Sequence, residues 1–136
     1  QLSAYQGVHV VHQPRNCGTA AGVLLPLAHL LHRAPDPSRA RVVILPSDHH
    51  VARPEILRGS IVEALWALER APSRVALVGA VADRPATGLG WIVPGFGLEG
   101  TRDPVRHVRR FVEKPPERAA ERLLADGALW NTMVMA

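Results

Sequence analysis

Residues 42–81, VVILPSDHHVARPEILRGSIVEALWALERAPSRVALVGAV, hold the pattern that decides the fold. Residues 42–45 (VVIL) form a short, continuous apolar run, and Pro46, lacking an N–H to donate, stops it as a strand. Pro54 then opens a helix to about Arg70. Ile56, Leu57, Ile61, Ala64, Leu65 and Leu68 recur at helical spacing as one apolar stripe, while Glu55, Arg58, Glu63 and Glu69 lie mostly off it. Proline suits a first turn, where its missing N–H would find no partner in any case. Residues 75–81 return to an apolar run and read as another buried strand. Continuous strands alternating with helices predict an α/β fold with a mostly parallel sheet covered on both faces.

The pattern extends outward in both directions. Residues 8–12 (VHVVH) are a β-branched run, read as a buried strand, and residues 18–33 have helical composition. Asn16 or Thr19 is placed to cap that helix, and Pro26 is expected to kink or interrupt it. Residues 91–93 and 105–112 read as later strands, and 117–125 as a short helix ended by Gly127. In open parallel sheets ligands bind beyond the carboxyl ends of strands. The polar stretches to search are therefore 13–19, 46–50 and 113–115.

Composition narrows the function classes. The 136 residues suffice for one domain, and 47% hydrophobic content with a net charge of +4 excludes a disordered chain. No apolar run approaches the ~18 residues of a membrane span, and the first residues lack the basic and apolar regions of a signal peptide. The single cysteine, Cys17, excludes an internal disulfide framework and is expected to be a buried, inert thiol. The expectation is a cytoplasmic protein with no membrane partner; homo-oligomerisation stays open. The basic surplus is nearly all arginine, with one local cluster at Arg106, Arg109 and Arg110, and Lys114 is the only lysine. With aromatics at 4%, stacking platforms are scarce and no nucleic-acid partner is expected.

Several residues have chemistry suited to a site, each beside a plainer role. Gly18-Thr19 at a strand-to-helix turn admits a ligand close to backbone N–H groups, or is an ordinary capped turn. Gln13 carries an amide suited to reading a base edge, or is a polar strand end. Asp48, directly after an apolar strand, suits Mg²⁺ as a hard oxygen ligand, or caps its turn. His49 and His50 face opposite sides of an extended chain, which argues against a shared zinc ion. Glu113 can accept bonds from sugar hydroxyls and Lys114 can neutralise a transferring phosphate; the alternative is a solvated charge pair.

The succession QPRNCGTA (13–20), LPSDHHV (45–51), ATGLGWI (86–92), FVEKP (111–115) and LWN (129–131) resembles the sugar nucleotidyltransferase family, in family order over nearly the whole chain. The likeness is greatest to the branch that makes GDP-mannose. It implies a three-layer αβα, Rossmann-like nucleotide-diphospho-sugar transferase fold, here incomplete. It also implies attack of a sugar-1-phosphate oxygen on the α-phosphorus of GTP, with release of pyrophosphate. By that resemblance Gln13, Gly18 and Thr19 address the nucleotide base, and Asp48 holds Mg²⁺ near the α-phosphate. Gly90, Glu113 and Asn131 meet the sugar, and Lys114 contacts the phosphates. The family's N-terminal glycine-rich loop has no counterpart within residues 1–136. The chain is therefore expected to be an internal part of a catalytic domain, with little turnover alone. A non-catalytic nucleotide-sugar-binding or regulatory module of the same fold is the alternative.

Overall fold

The computed structural model describes residues 7–98 and 105–136. In chain order its elements are α1 (Gly18–Arg33), a 3₁₀ turn (Pro37–Arg39), α2 (Pro54–Arg70), β1 (Leu77–Val81), β2 (Gly90–Gly97), β3 (Arg106–Glu113), α3 (Glu117–Ala125) and β4 (Leu129–Met135). The chain divides into two compact units, Gln1–Ala40 and Arg41–Ala136.

In the first unit α1 starts where the sequence places it. Gly18 adopts φ +83° and donates its N–H to Asn16 Oδ1 at 2.9 Å, so Asn16 supplies the capping oxygen although Cys17 holds the cap position. The expected interruption at Pro26 does not occur: α1 is continuous through it. Pro26 has no N–H for the Gly22 carbonyl, so the helix forgoes one internal bond there. The Ala34 N–H closes the far end on Leu30 O at 2.9 Å, and His32 and Arg33 complement the helix dipole. Residues 8–12 are not a strand, and Val8 and Val10 are exposed. A β-branched run becomes a strand only when a neighbour completes its hydrogen bonds, and no strand pairing among the described residues includes it. Cys17 is exposed rather than buried.

The second unit is built on a four-stranded sheet in the order β1-β4-β2-β3, and every pairing is antiparallel. This corrects the expectation of a mostly parallel sheet. Apolar continuity reports burial, not strand direction. Strands β3 and β4 both run against β2, so they are parallel to each other, and α3 links them across it. Strand β3 and helix α3 of that crossover were legible; its return strand and the antiparallel insertion of β2 between the two were not. Residues 42–45 add only one bridge, Ile44 to Met135, with bonds of 2.8 and 3.1 Å. Strand β4, beyond its LWN motif, was not foreseen.

The core lies between α3 and one face of the sheet: Trp91, Val93, Ala120, Leu123 and Ala128, with Val112, Leu124 and Trp130 packed against them. Trp91 is fully buried and donates its indole N–H to Ala86 O at 2.8 Å. Trp130 meets it edge-on, with centroids 6.2 Å apart, and carries the Arg84 guanidinium 4.8 Å above its ring. Gly127, at φ +70°, ends α3 as expected: its N–H reaches Leu124 O at 3.1 Å and the Ala128 N–H reaches Leu123 O at 2.9 Å. Those two bonds satisfy carbonyls that the helix end leaves open, and turn the chain into β4.

Candidate functional site

Successive residues of a strand face opposite sides of the sheet, and that rule assembles the site in the second unit. Trp91 pairs with Val112 on one side and Trp130 on the other, an apolar row that anchors three strands to α3. Each anchor has a polar or glycine neighbour in sequence: Gly90 before Trp91, Glu113 after Val112, Asn131 after Trp130. Those neighbours face away from α3 together. Gly90 pairs directly with Glu113, and Asn131 pairs with Gly79 of β1. Gly90 and Asn131 each lie one residue beyond the Trp91–Trp130 pair, where the β2–β4 pairing ends. Three of the residues expected from the sequence thus form one row, Glu113–Gly90–Asn131.

Gly90 is small for a local reason. A Cβ there would lie 2.7 Å from the Phe111 ring and 2.8 Å from Glu113 Oε2. The carboxylate therefore lies across the glycine, and the space that a methyl would fill belongs to it. Lys114 leaves the strand at φ +42°, with its N–H on Leu89 O at 3.2 Å. Its ammonium stands 4.0 Å from Glu113 Oε1, and both side chains are largely exposed. Such a pair contributes little to stability. It also leaves both groups open to a ligand.

Asn131 sits in an irregular stretch of β4. The β1–β4 register shifts between Val78 and Gly79, and Met133 takes φ +58°. Thr132 staples the bulge: its hydroxyl donates to Val78 O at 2.5 Å and accepts the Val134 N–H at 3.2 Å. The Asn131 Oδ1 accepts the Met133 N–H at 3.1 Å, while its Nδ2 lies 3.2 Å from Met133 Sδ.

The remaining expected residues lie elsewhere. Gln13, Gly18 and Thr19 belong to the first unit, at the amino end of α1. Gln13 lines an open concavity of about 380 Å³ with Pro14, Arg15, Cys17, Ala21 and Leu25, and its Nε2 is buried without a partner among the described residues. Thr19 is exposed, and the Gly18 N–H is already taken by Asn16. Asp48 stands exposed in a turn after residues 42–45, as do His49 and His50 beyond it. No hydrogen bond or ion pair ties Asp48 among the described residues. Among those residues, no three histidine, cysteine, aspartate or glutamate side chains cluster to hold a metal ion. No helix among them is long and apolar enough to cross a membrane.

Sequence reasoning missed Gly79, Phe111 and Met133. Gly79 had a signal, since a lone glycine inside an apolar strand marks a bulge or a close approach. A Cβ on it would lie 2.8 Å from Leu129 Cδ1 and 2.9 Å from Leu129 Cβ. Met133 had none, because methionine seldom adopts a positive φ.

Comparisons with known proteins agree with this architecture. A family model described as Nucleotidyl transferase matches residues 3–136. The chain is 32% identical over 129 residues to the alginate biosynthesis protein AlgA of Pseudomonas fluorescens, covering 90% of this chain and 24% of that protein. It is 29% identical over 126 residues to a mannose-1-phosphate guanylyltransferase of Escherichia coli K12, covering 91% and 26%. Among solved structures, a mannose-1-phosphate geranyltransferase from Thermus thermophilus superposes with a TM-score of 0.80 at 29% identity, over 96% of this chain and 36% of that one. The chain thus spans about a quarter of the length of the curated relatives it matches.

Proposed function

The chain belongs to the nucleotidyl transferase family, and from that premise we propose that it carries the sugar side of a GTP:mannose-1-phosphate guanylyl transfer. The row Glu113–Gly90–Asn131 is the observation behind this reading. It sets a carboxylate and an amide on one face of the sheet with a glycine between them. A pyranose ring has adjacent hydroxyls to donate to the carboxylate and accept from the amide, and the absent Cβ lets the carboxylate lie across the glycine. In the reaction, an oxygen of the sugar 1-phosphate attacks the α-phosphorus of GTP. The bond to the β-phosphate breaks and pyrophosphate leaves with the electron pair. Both reactants are anions, so alignment and charge neutralisation matter more than a strong base. Lys114, exposed at the strand end beside Glu113, has the charge and reach to meet those phosphates. Gln13, Gly18 and Thr19 would address the guanine.

An exposed, unengaged carboxylate fits Mg²⁺, which commonly takes one or two protein carboxylates beside substrate phosphates. Asp48 would hold the ion, whose charge would offset that of the triphosphate. Cytoplasmic residence is part of the same proposal. The test is pyrophosphate release from GTP and mannose 1-phosphate by the protein that contains this chain. Glu113→Gln keeps the shape and removes the charge, and is expected to lower kcat/KM about 10- to 100-fold, the worth of a hydrogen bond to a charged group. An unchanged rate would refute the assignment of Glu113.

A further inference from the structure

The Asn131 amide is held at both ends by a single residue. Its Oδ1 accepts the Met133 backbone N–H at 3.1 Å, which fixes the amide's orientation and turns Nδ2 onto Met133 Sδ at 3.2 Å. We infer that Met133 is a displaceable cap on the sugar site, setting the affinity for a ligand hydroxyl at Asn131; this rests on the sugar-site reading above. A thioether is a weak acceptor and a hydroxyl oxygen a stronger one. Three rotatable side-chain bonds let the methionine swing aside without moving the strand. The arrangement is locked in from behind. Met133 keeps its disfavoured φ of +58° because its N–H is tied to Asn131 and because Thr132 ties Val78 O to the Val134 N–H. Ordinary gap-filling by methionine requires neither the left-handed backbone nor the sulfur contact. Nδ2 carries two N–H groups; a ligand hydroxyl that takes the one now turned onto Met133 Sδ must replace the sulfur, while the Oδ1 bond, made by backbone, stays in place.

The experiment uses the full protein, labelled with ¹⁵N-asparagine; Asn16 and Asn131 are the only asparagines of this chain, and loss of a signal in Asn131→Ala assigns it. Met133→Leu keeps the apolar bulk and removes the acceptor. It is expected to shift the Asn131 side-chain amide resonance, speed its exchange with solvent and leave Asn16 unmoved. Mannose 1-phosphate, titrated by calorimetry, should bind about three- to tenfold more tightly to Met133→Leu, the equivalent of one modest hydrogen bond no longer displaced. Met133→Gly, which suits the backbone, should do the same. An unmoved Asn131 signal in Met133→Leu would overturn the cap. So would unchanged affinity in both variants while Glu113→Gln still weakens binding; the sugar site would then stand without it. If neither the wild type nor any variant binds the sugar phosphate, the sugar-site reading falls and the cap falls with it.

Discussion

Gly90 carries a hydrogen where any other residue would put a carbon 2.7 Å from the Phe111 ring and 2.8 Å from the Glu113 carboxylate. Both of those atoms are the far ends of exposed side chains, so Gly90→Ala can be accommodated by swinging them aside. Its cost to folding should stay below about 1.5 kcal/mol in urea melts. The cost to function should be larger, because the displaced group is the carboxylate assigned to the sugar; mannose 1-phosphate binding should weaken at least about tenfold. Gly79→Ala presents the opposite case. There the obstacle includes Leu129 Cβ at 2.9 Å, an atom fixed to the backbone. The strand itself must move, and about 1–3 kcal/mol of stability should be lost. The FVEKP and LWN motifs made Glu113, Lys114 and Asn131 legible as residues. That Met133 would cap one of them was not legible, since its backbone conformation depends on a register shift formed with a distant strand.

At the scale of elements, α3 is the piece that aims the site. Its Ala120 and Leu123 hold Trp91 and Ala128, and through the alternation of strands they decide that Gly90, Glu113 and Asn131 face the other way. Leu123→Ala should cost about 2–5 kcal/mol by creating a cavity in a close-packed core, read as a lowered urea midpoint. Gly127→Ala should cost about 1 kcal/mol, because the residue sits at φ +70° where a side chain is disfavoured. The sequence boundaries of α2 and α3 were close to those observed, since capping prolines and glycines are local signals. Strand 8–12 failed as a prediction for the converse reason: a strand is defined by its partner.

Across the whole molecule, burial is uneven. In the first unit no described residue is buried, and α1 leaves Leu24, Leu25, Leu30 and Leu31 exposed. In the second unit the Trp91 cluster is close to dry. Local opening follows buried apolar contact. Hydrogen exchange of this chain should therefore show α1 amides exchanging well before those of Trp91, Ile92 and Val112. Equal protection in the two units would contradict that reading.

The sequence by itself determined the α/β class, the three helices, the family, and the residue types from which a sugar site can be made. Apolar periodicity, caps and short motifs are local, and locality is what a single chain displays. Only the tertiary structure decided that the sheet is antiparallel and that β2 runs between the two strands joined by α3. It alone set Glu113, Gly90 and Asn131 in one row, because residues 23 and 41 positions apart in the chain, counted from Gly90, become neighbours only through strand register.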